Sequence, residues 1–380
     1  MRKQIFTLTI SALLLLSSCG QAKNDISINA DEMLVANETL QQAAADQTTI
    51  QPSFQIQAND SIGTNLTPDI VDPAKLPAGI IESVLPSIKQ SFSLPEVVRG
   101  PLATKDSNGI TKYLANLYVQ DNKIVINQSS GRKLKTDTSK LNSLLKNYPY
   151  QTSVMAIRIS DGSYIAYNID KNYACASTIK APYAMYAYSL AANKQISLAD
   201  TVKYQSYHYI SGSGVIKNKP VGSSFTFREL VRYSMIDSDN IAHMMLTNRL
   251  GKGVDQLFEE SGSRIRMSTT EWPLINARDV AIWWNEILEF RDTGAIGKEF
   301  FDIALSVRSP ILYDALGTKN IPFAHKSGWV RNVCHEAGII MTEDPYIIVV
   351  LTTKAANSAD TYTNHIVNVF REVDNIMRNK

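Results

Sequence analysis

Apolar positions along this chain change period several times, and each change marks an element. Residues 137–148, DTSKLNSLLKNY, space their leucines as one face of a helix, with Asp137 or Thr138 as the cap. Residues 153–168 alternate instead: SVMAIRIS and SYIAYN flank Asp161-Gly162, a hairpin signature. A helical region opens near Ser177, and several helices follow to about residue 305. One of these is NARDVAIWWNEILEF, with Asn276 suited to its N-cap and Asp279 to the third helical position. FAHKSGWV, HEAGIIMT and PYIIVVLTT then read as three strands, and HIVNVFREVDNIMRN as a closing helix. Strands lie at both ends and helices between, so the expected fold class is α+β. One antiparallel sheet is built from both chain ends and packed against a helical cluster.

Ahead of this domain, expected over 137–380, the signals weaken. LANLYVQDNKIVINQ reads as two short strands around Asp121-Asn122, and AGIIESVLPSIKQSF as a short helix broken by Pro86. Residues 76–136 are therefore expected to form a small accessory region. Residues 20–75 are rich in Asn, Gln, Asp, Thr and Ala, the composition of a flexible tether. In residues 1–19, Arg2 and Lys3 precede an apolar run from Ile5 to Leu16 that is too short to span a bilayer, as in an export signal. Leu16-Ser17-Ser18-Cys19 resembles the lipobox of bacterial lipoproteins. The resemblance implies lipidation of Cys19 and an exported protein anchored to a bacterial membrane.

The formal net charge of the 380 residues is only +2 and no long block of one sign occurs, so no nucleic-acid partner is expected. In an exported chain Cys175 and Cys334 are permitted to pair; each is equally compatible with a buried free thiol. None of the five histidines stands in an H-x-H or H-E-x-x-H pattern, and there is no G-x-S-x-G, so neither a metal site nor an α/β-hydrolase is expected.

A serine hydroxyl is a poor nucleophile until a base takes its proton. Ser177-x-x-Lys180 puts a lysine one helical turn from a serine, but Ser130–Lys133 and Ser143–Lys146 share that spacing. Two further motifs occur once each. Ser238-Asp239-Asn240, inside the helical stretch MIDSDNIAHMM, offers a hydroxyl to relay a proton to a leaving nitrogen, with Asp239 holding the turn. Lys326-Ser327-Gly328 lies on a strand. There its ammonium would lower the pKa of Lys180 and draw in a carboxylate, Ser327 would bind that carboxylate, and Gly328 would let substrate approach the strand edge.

In this order the three motifs resemble the signature set of class A β-lactamases and penicillin-binding proteins. GSGVI at 212–216 and HEAGIIMTEDPYIIVVLT after the Lys-Ser-Gly strand are also similar to class A sequences. The likeness covers 137–380 and leaves 20–136 unmatched. It implies an α/β sandwich of the β-lactamase/transpeptidase type and a monomeric serine hydrolase without cofactor. Its ligand would be a small-molecule β-lactam or a peptidoglycan stem peptide. Ser177 would form the acyl-enzyme with Lys180 as base and Ser238 as relay. Asn240, Lys326 and Ser327 would hold the substrate, and the backbone N–H groups of Ser177 and Trp329 would form the oxyanion hole. Arg331 is either a further carboxylate contact or an exposed strand arginine.

Class A enzymes add a glutamate, in Glu-x-x-Leu-Asn, that activates the deacylating water. The only candidate is TEWPLINARD, with Glu271, and there Asn276 is out of pattern and better explained as a helix cap. Without that second base the acyl-enzyme would hydrolyse slowly, as in penicillin-binding proteins. Two rivals stand beside a β-lactamase: a D-alanyl-D-alanine peptidase using the same residues, and a non-catalytic sensor, which would have no need of Lys180.

Overall fold

The computed structural model describes residues 109–128, 133–267, 270–317, 320–355 and 360–380. The leader with Cys19, the tether, residues 76–108 and Ser130 lie outside the described residues.

In chain order the elements are helix α1 (Gly109–Asn116), strand β1 (Val125–Asn127), α2 (Ser139–Asn147), β2 (Thr152–Arg158), β3 (Tyr164–Tyr167) and the short β4 (Tyr173–Ala174). A 3₁₀ turn, Ala176–Ile179, runs directly into α3 (Lys180–Ala192). A small ribbon of β5 (Thr201–Lys203) and β6 (Ser224–Thr226) precedes α4 (Phe227–Ile236), α5 (Asn240–Leu250), α6 (Val254–Glu260) and β7 (Leu274–Ile275). The helices α7 (Ala277–Arg291), α8 (Ala295–Leu305) and α9 (Pro310–Leu316) lead to β8 (Phe323–Val330), β9 (Val333–Ile340), β10 (Tyr346–Thr353) and α10 (Asp360–Arg378).

Six strands pair antiparallel in the order β1-β3-β2-β10-β9-β8, so the two ends of the domain meet at β2 and β10. The parity of β10 shows what holds the sheet. Ile347, Val349 and Leu351 join one core with Trp283 and Trp284 of α7, while Tyr346, Ile348 and Val350 join a second core with Phe370 and Val373 of α10. Burial on both faces is why this strand reads as an unbroken apolar run. The helical cluster expected beside the sheet covers one face. The second face is covered by α10 with Leu141 and Leu145 of α2 and Ile311 and Leu312 of α9.

The Asp161-Gly162 hairpin forms as expected. Gly162 takes φ 71°, and Asp161 accepts from Ser163 N and from the buried Arg158. Arg158 also donates to Met377 O at 3.0 Å, tying the hairpin to the last helix. Asn276 caps α7 by accepting from Asp279 N at 2.9 Å. Cys175 and Cys334 are both buried free thiols.

Two expectations change. LANLYVQDNKIVINQ yields one strand, not two: its first residues finish α1, whose Ile110 and Leu114 are buried in the same core as Trp283. The turn at Asp121-Asn122 then leads to β1, which pairs with β3. The described part of the region read as accessory is thus continuous with the domain. The apolar spacing of residues 110 and 114 is helical, and the core it meets decides the outcome over local strand propensity.

Strand β8 is a sheet edge, and the 3₁₀ turn lies against it. A Cβ on Gly328 would fall 2.4 Å from Thr178 Oγ1, 2.8 Å from Thr178 N and 3.1 Å from Cys175 O. Gly328 therefore lets the turn carrying Ser177 dock on the strand, rather than serving the approach of a ligand. Gly328→Ala is expected to cost about 1–3 kcal/mol, as overpacking does, read as a lower urea midpoint with unchanged m-value. A midpoint equal to the wild type would show that the turn and strand are not in obligatory contact.

Candidate active site

The segment ahead of Ser177 is pinned before the site begins. Tyr173 pairs with Ile275 and Ala174 with Leu274, and Cys175 N donates to Pro273 O at 3.2 Å. Ala176 then takes φ 46°, a left-handed conformation that costs a non-glycine residue about 1 kcal/mol or more and clusters at functional sites. That reversal sets the 3₁₀ turn in which Ser177 precedes Lys180 by one turn.

Lys180 has no exposed surface. Its Nζ is 3.0 Å from Ser177 Oγ, 2.6 Å from Asn240 Oδ1, within hydrogen-bond reach of Ser238 O and 3.3 Å from Ser238 Oγ. Two of these partners, the Ser238 carbonyl and the Asn240 amide oxygen, only accept. They use two N–H bonds, which is all that a neutral amine has. Its lone pair is then left for the Ser177 hydroxyl, and when protonated the same nitrogen donates back to Oγ. A proton can pass between Ser177 and Lys180 without disturbing another bond. Burial pushes the Lys180 pKa well below the ordinary lysine range, the Lys326 ammonium pushes it further down, and Asp239 opposes both.

Ser238-Asp239-Asn240 does not lie inside a helix. Ser238 and Asp239 lie in the break between α4 and α5, with Ser238 at φ 51°, and Asn240 is the first residue of α5. The reason is Asp239, the N-cap of α5, which accepts from Ala242 N at 2.9 Å. Its other oxygen accepts from Val215 N at 2.6 Å and Ile216 N at 2.8 Å, so it grips the 211–216 loop as well. Three backbone donors on one buried carboxylate fix the break. The loop answers: Asn240 N donates to Ser213 O, Asn240 Nδ2 to Ser211 O at 2.9 Å, and Ser213 Oγ to Ser238 O at 2.8 Å. Gly214 is needed there, since its φ is 120° and a Cβ would strike Asp239.

The buried Lys326 donates to Ser238 Oγ at 3.0 Å, so that hydroxyl stands between two lysines. Burial brings the Lys326 pKa down to about 8, with Glu336 opposing. Lys326 is therefore largely an ammonium at neutral pH. Glu336 is itself buried and accepts from Ser309 Oγ at 2.5 Å, with His325 Nδ1 at 2.8 Å.

These groups surround a cleft of about 280 Å³ lined by Ser177, Ser213, Ser238, Ser309, Ser327 and Trp329. Of the residues picked from sequence, Ser177, Lys180, Ser238, Asn240 and Lys326 form one hydrogen-bonded group, and Ser327 and Trp329 line the cleft beside it. Ser143, from a competing Ser-x-x-Lys, accepts from its neighbour Asn147 Nδ2 on the surface of α2. Arg331 is exposed in the β8–β9 turn. Glu271 turns outward to Lys252, 3.3 Å away. Its neighbour Trp272 instead faces Lys180, with Nζ over the ring at 5.7 Å from the centroid. Sequence reading passed over Ser213, Ser309 and Trp272. The first had a signal in GSGVI, but the other two reach the site only through the fold.

The profile of the beta-lactamase enzyme family matches residues 137–373. Among solved structures, a beta-lactamase from Sphaerobacter thermophilus superposes with TM-score 0.57 at 19% identity, covering 62% of this chain and 95% of that one. PBP-A superposes with TM-score 0.59 at 18% identity, over 67% of this chain and all of that one (100%). A PBP-A mutant solved as an acyl-enzyme complex with penicillin G gives 0.58 at 19%, over 64% and 96%. These likenesses establish a shared fold, and the profile match establishes kinship: the chain belongs to the beta-lactamase enzyme family.

Proposed function

We propose that the protein is a class A-type serine hydrolase that opens β-lactam amides through an acyl-enzyme on Ser177. The observation that carries this reading is the Lys180 amine, buried, 3.0 Å from Ser177 Oγ and saturated on its other side by two carbonyl-type acceptors. Ser177 Oγ bonds to the lactam carbonyl carbon as its proton passes to Lys180 Nζ. The carbonyl oxygen, now anionic, is met by backbone N–H groups of Ser177 and Trp329. The C–N bond then breaks, and the leaving nitrogen takes a proton through Ser238 Oγ, which both lysines can supply. The second Nδ2 hydrogen of Asn240 serves the substrate amide, while Lys326 and Ser327 hold its carboxylate.

Water must then hydrolyse the ester, and among the described residues no acid lines the cleft. Glu271 is engaged at the surface with Lys252. This favours slow deacylation, and it keeps a second reading in view: a D-alanyl-D-alanine peptidase of the penicillin-binding kind, with the same residues and a peptidoglycan stem peptide as ligand. We also propose, from the sequence of the leader, that Cys19 is lipidated and holds the domain at a bacterial membrane.

Intact-mass spectrometry after penicillin treatment tests the first step. One acyl adduct is expected on the wild type and none on Ser177→Ala; Lys180→Ala should acylate about 10²–10⁴-fold more slowly. A persistent adduct on Ser177→Ala would remove Ser177 from the role. For the second step, the wild-type acyl-enzyme is expected to last minutes or longer, and Glu271→Gln to change that lifetime less than about twofold. A short-lived wild-type adduct that Glu271→Gln makes stable would identify Glu271 as a deacylation base after all. For the anchor, Cys19→Ala should release the protein from the membrane fraction or leave it unprocessed; unchanged fractionation with lipid label retained would refute lipidation there.

A further inference from the structure

We propose that Trp272 is a positioning residue for the catalytic lysine: the face of its indole is the surface against which the Lys180 ammonium forms when Ser177 gives up its proton. The inference rests on the reading of Lys180 as base. Its geometric ground is direct, since Nζ stands over the ring at 5.7 Å from the centroid, inside the range in which a cation is drawn to an aromatic face.

The ring is held there by its surroundings. Trp272 N donates to Thr270 Oγ1 at 3.1 Å. The following residues are paired with Tyr173 and Ala174, immediately before the nucleophile turn. The indole also packs against His243 of α5, with ring centroids 5.0 Å apart. Burial takes the pKa of His243 down to about 3. His243 is thus a neutral aromatic neighbour and supplies no competing charge.

The charged and titratable groups around Lys180 come from each packed element: Cys175 ahead of the turn, Asp239 and His243 on the α5 side, and Lys326 on β8. Among these only Asp239 is an anion, and three backbone donors already occupy it. Lys180 must bear a proton during acylation beside a second ammonium, with no exposed surface of its own. An aromatic face meets that need without desolvating another ion. It also gives water no base. The side chain that fills the position next to Lys180 thereby supports formation of the acyl-enzyme and contributes nothing to its hydrolysis.

The test is site-specific replacement of Trp272, in the full-length chain, by mono-, di- and tetrafluorotryptophan, which drain the ring face with little change of shape. Two readouts are taken. One is an NMR titration of ¹³C-labelled lysine, with the Lys180 signal assigned by its loss in Lys180→Arg. The other is the pH profile of acylation by a chromogenic cephalosporin. The Lys180 pKa is expected to fall stepwise with fluorination, by about 0.5–1.5 pH units across the series. The acid limb of acylation should move to lower pH by the same amount. The basic limb near pH 8, assigned to Lys326, should stay in place. Trp272→Phe, which keeps a weaker face, should fall within the series. A Lys180 titration that does not move with fluorination, or limbs that move together, would overturn the role of Trp272. The lysine titration needs no substrate. Failure of Lys180 as base, shown by Lys180→Ala acylating at the wild-type rate, is therefore a separate result.

Discussion

A lysine with no exposed surface must either lose its proton or find groups that replace water around it. Lys180 is placed to do both in turn, and the rest of the site is arranged around that requirement. Two obligate acceptors, Ser238 O and Asn240 Oδ1, satisfy the neutral amine, and Ser177 Oγ completes it. Those acceptors exist at that point only because the chain breaks between α4 and α5. The break exists because Asp239 ties it to the 211–216 loop. Removing the Asp239 carboxylate would leave buried backbone donors unpaired, at about 1–3 kcal/mol each. It would also release the carbonyl that Lys180 depends on.

The sheet supplies the opposite wall. Because β2 and β10 are buried on both faces, the frame behind the site has little freedom to shift. β8, at the edge of that frame, presents Lys326 on the side of the nucleophile turn, and Gly328 lets the turn close on the strand. The distances between Ser177, Ser238 and Lys326 are thus set by three contacts of different kinds: a strand–turn docking, a capped helix start and a lysine bridge. Pre-positioning of this sort is what lets an ordinary serine react, since proximity and alignment remove much of the entropic barrier.

The sequence was legible where a residue type answers a local demand. Asp161-Gly162, the Asn276 cap, the three closing strands and the last helix follow from turn, cap and period rules that need no tertiary partner. The motif order was legible too, because Ser-x-x-Lys alone is ambiguous while Ser238-Asp239-Asn240 and Lys326-Ser327-Gly328 each occur once. Other features depend on what packs against them. GITKYLAN is helical because Ile110 and Leu114 meet α7. Ser238 is left-handed because Asp239 bonds to a loop more than twenty residues away. Gly328 looked like an opening for substrate but is the floor under Thr178. Nothing in TEWPLINARD says which of two consecutive side chains will face inward.

That last choice is fixed by the ends of the segment. Leu274 and Ile275 are paired with Ala174 and Tyr173, Pro273 O receives Cys175 N, and Asn276 is committed to the start of α7. One way to turn Glu271 inward is a slip of the segment by one residue. Such a slip would exchange the faces of Leu274, which is exposed, and Ile275, which is buried, and would move the cap off its helix. The anchors of the 270–276 segment are therefore those of the nucleophile turn itself, and the position beside Lys180 falls to Trp272. In the proposed mechanism, acylation draws on groups the fold has already fixed in place. A carboxylate base for hydrolysis would have to come from a segment whose register directs its one acid, Glu271, to the surface. In the proposed mechanism a slow second step would follow from how this segment is anchored, not from any defect in the nucleophile or its base.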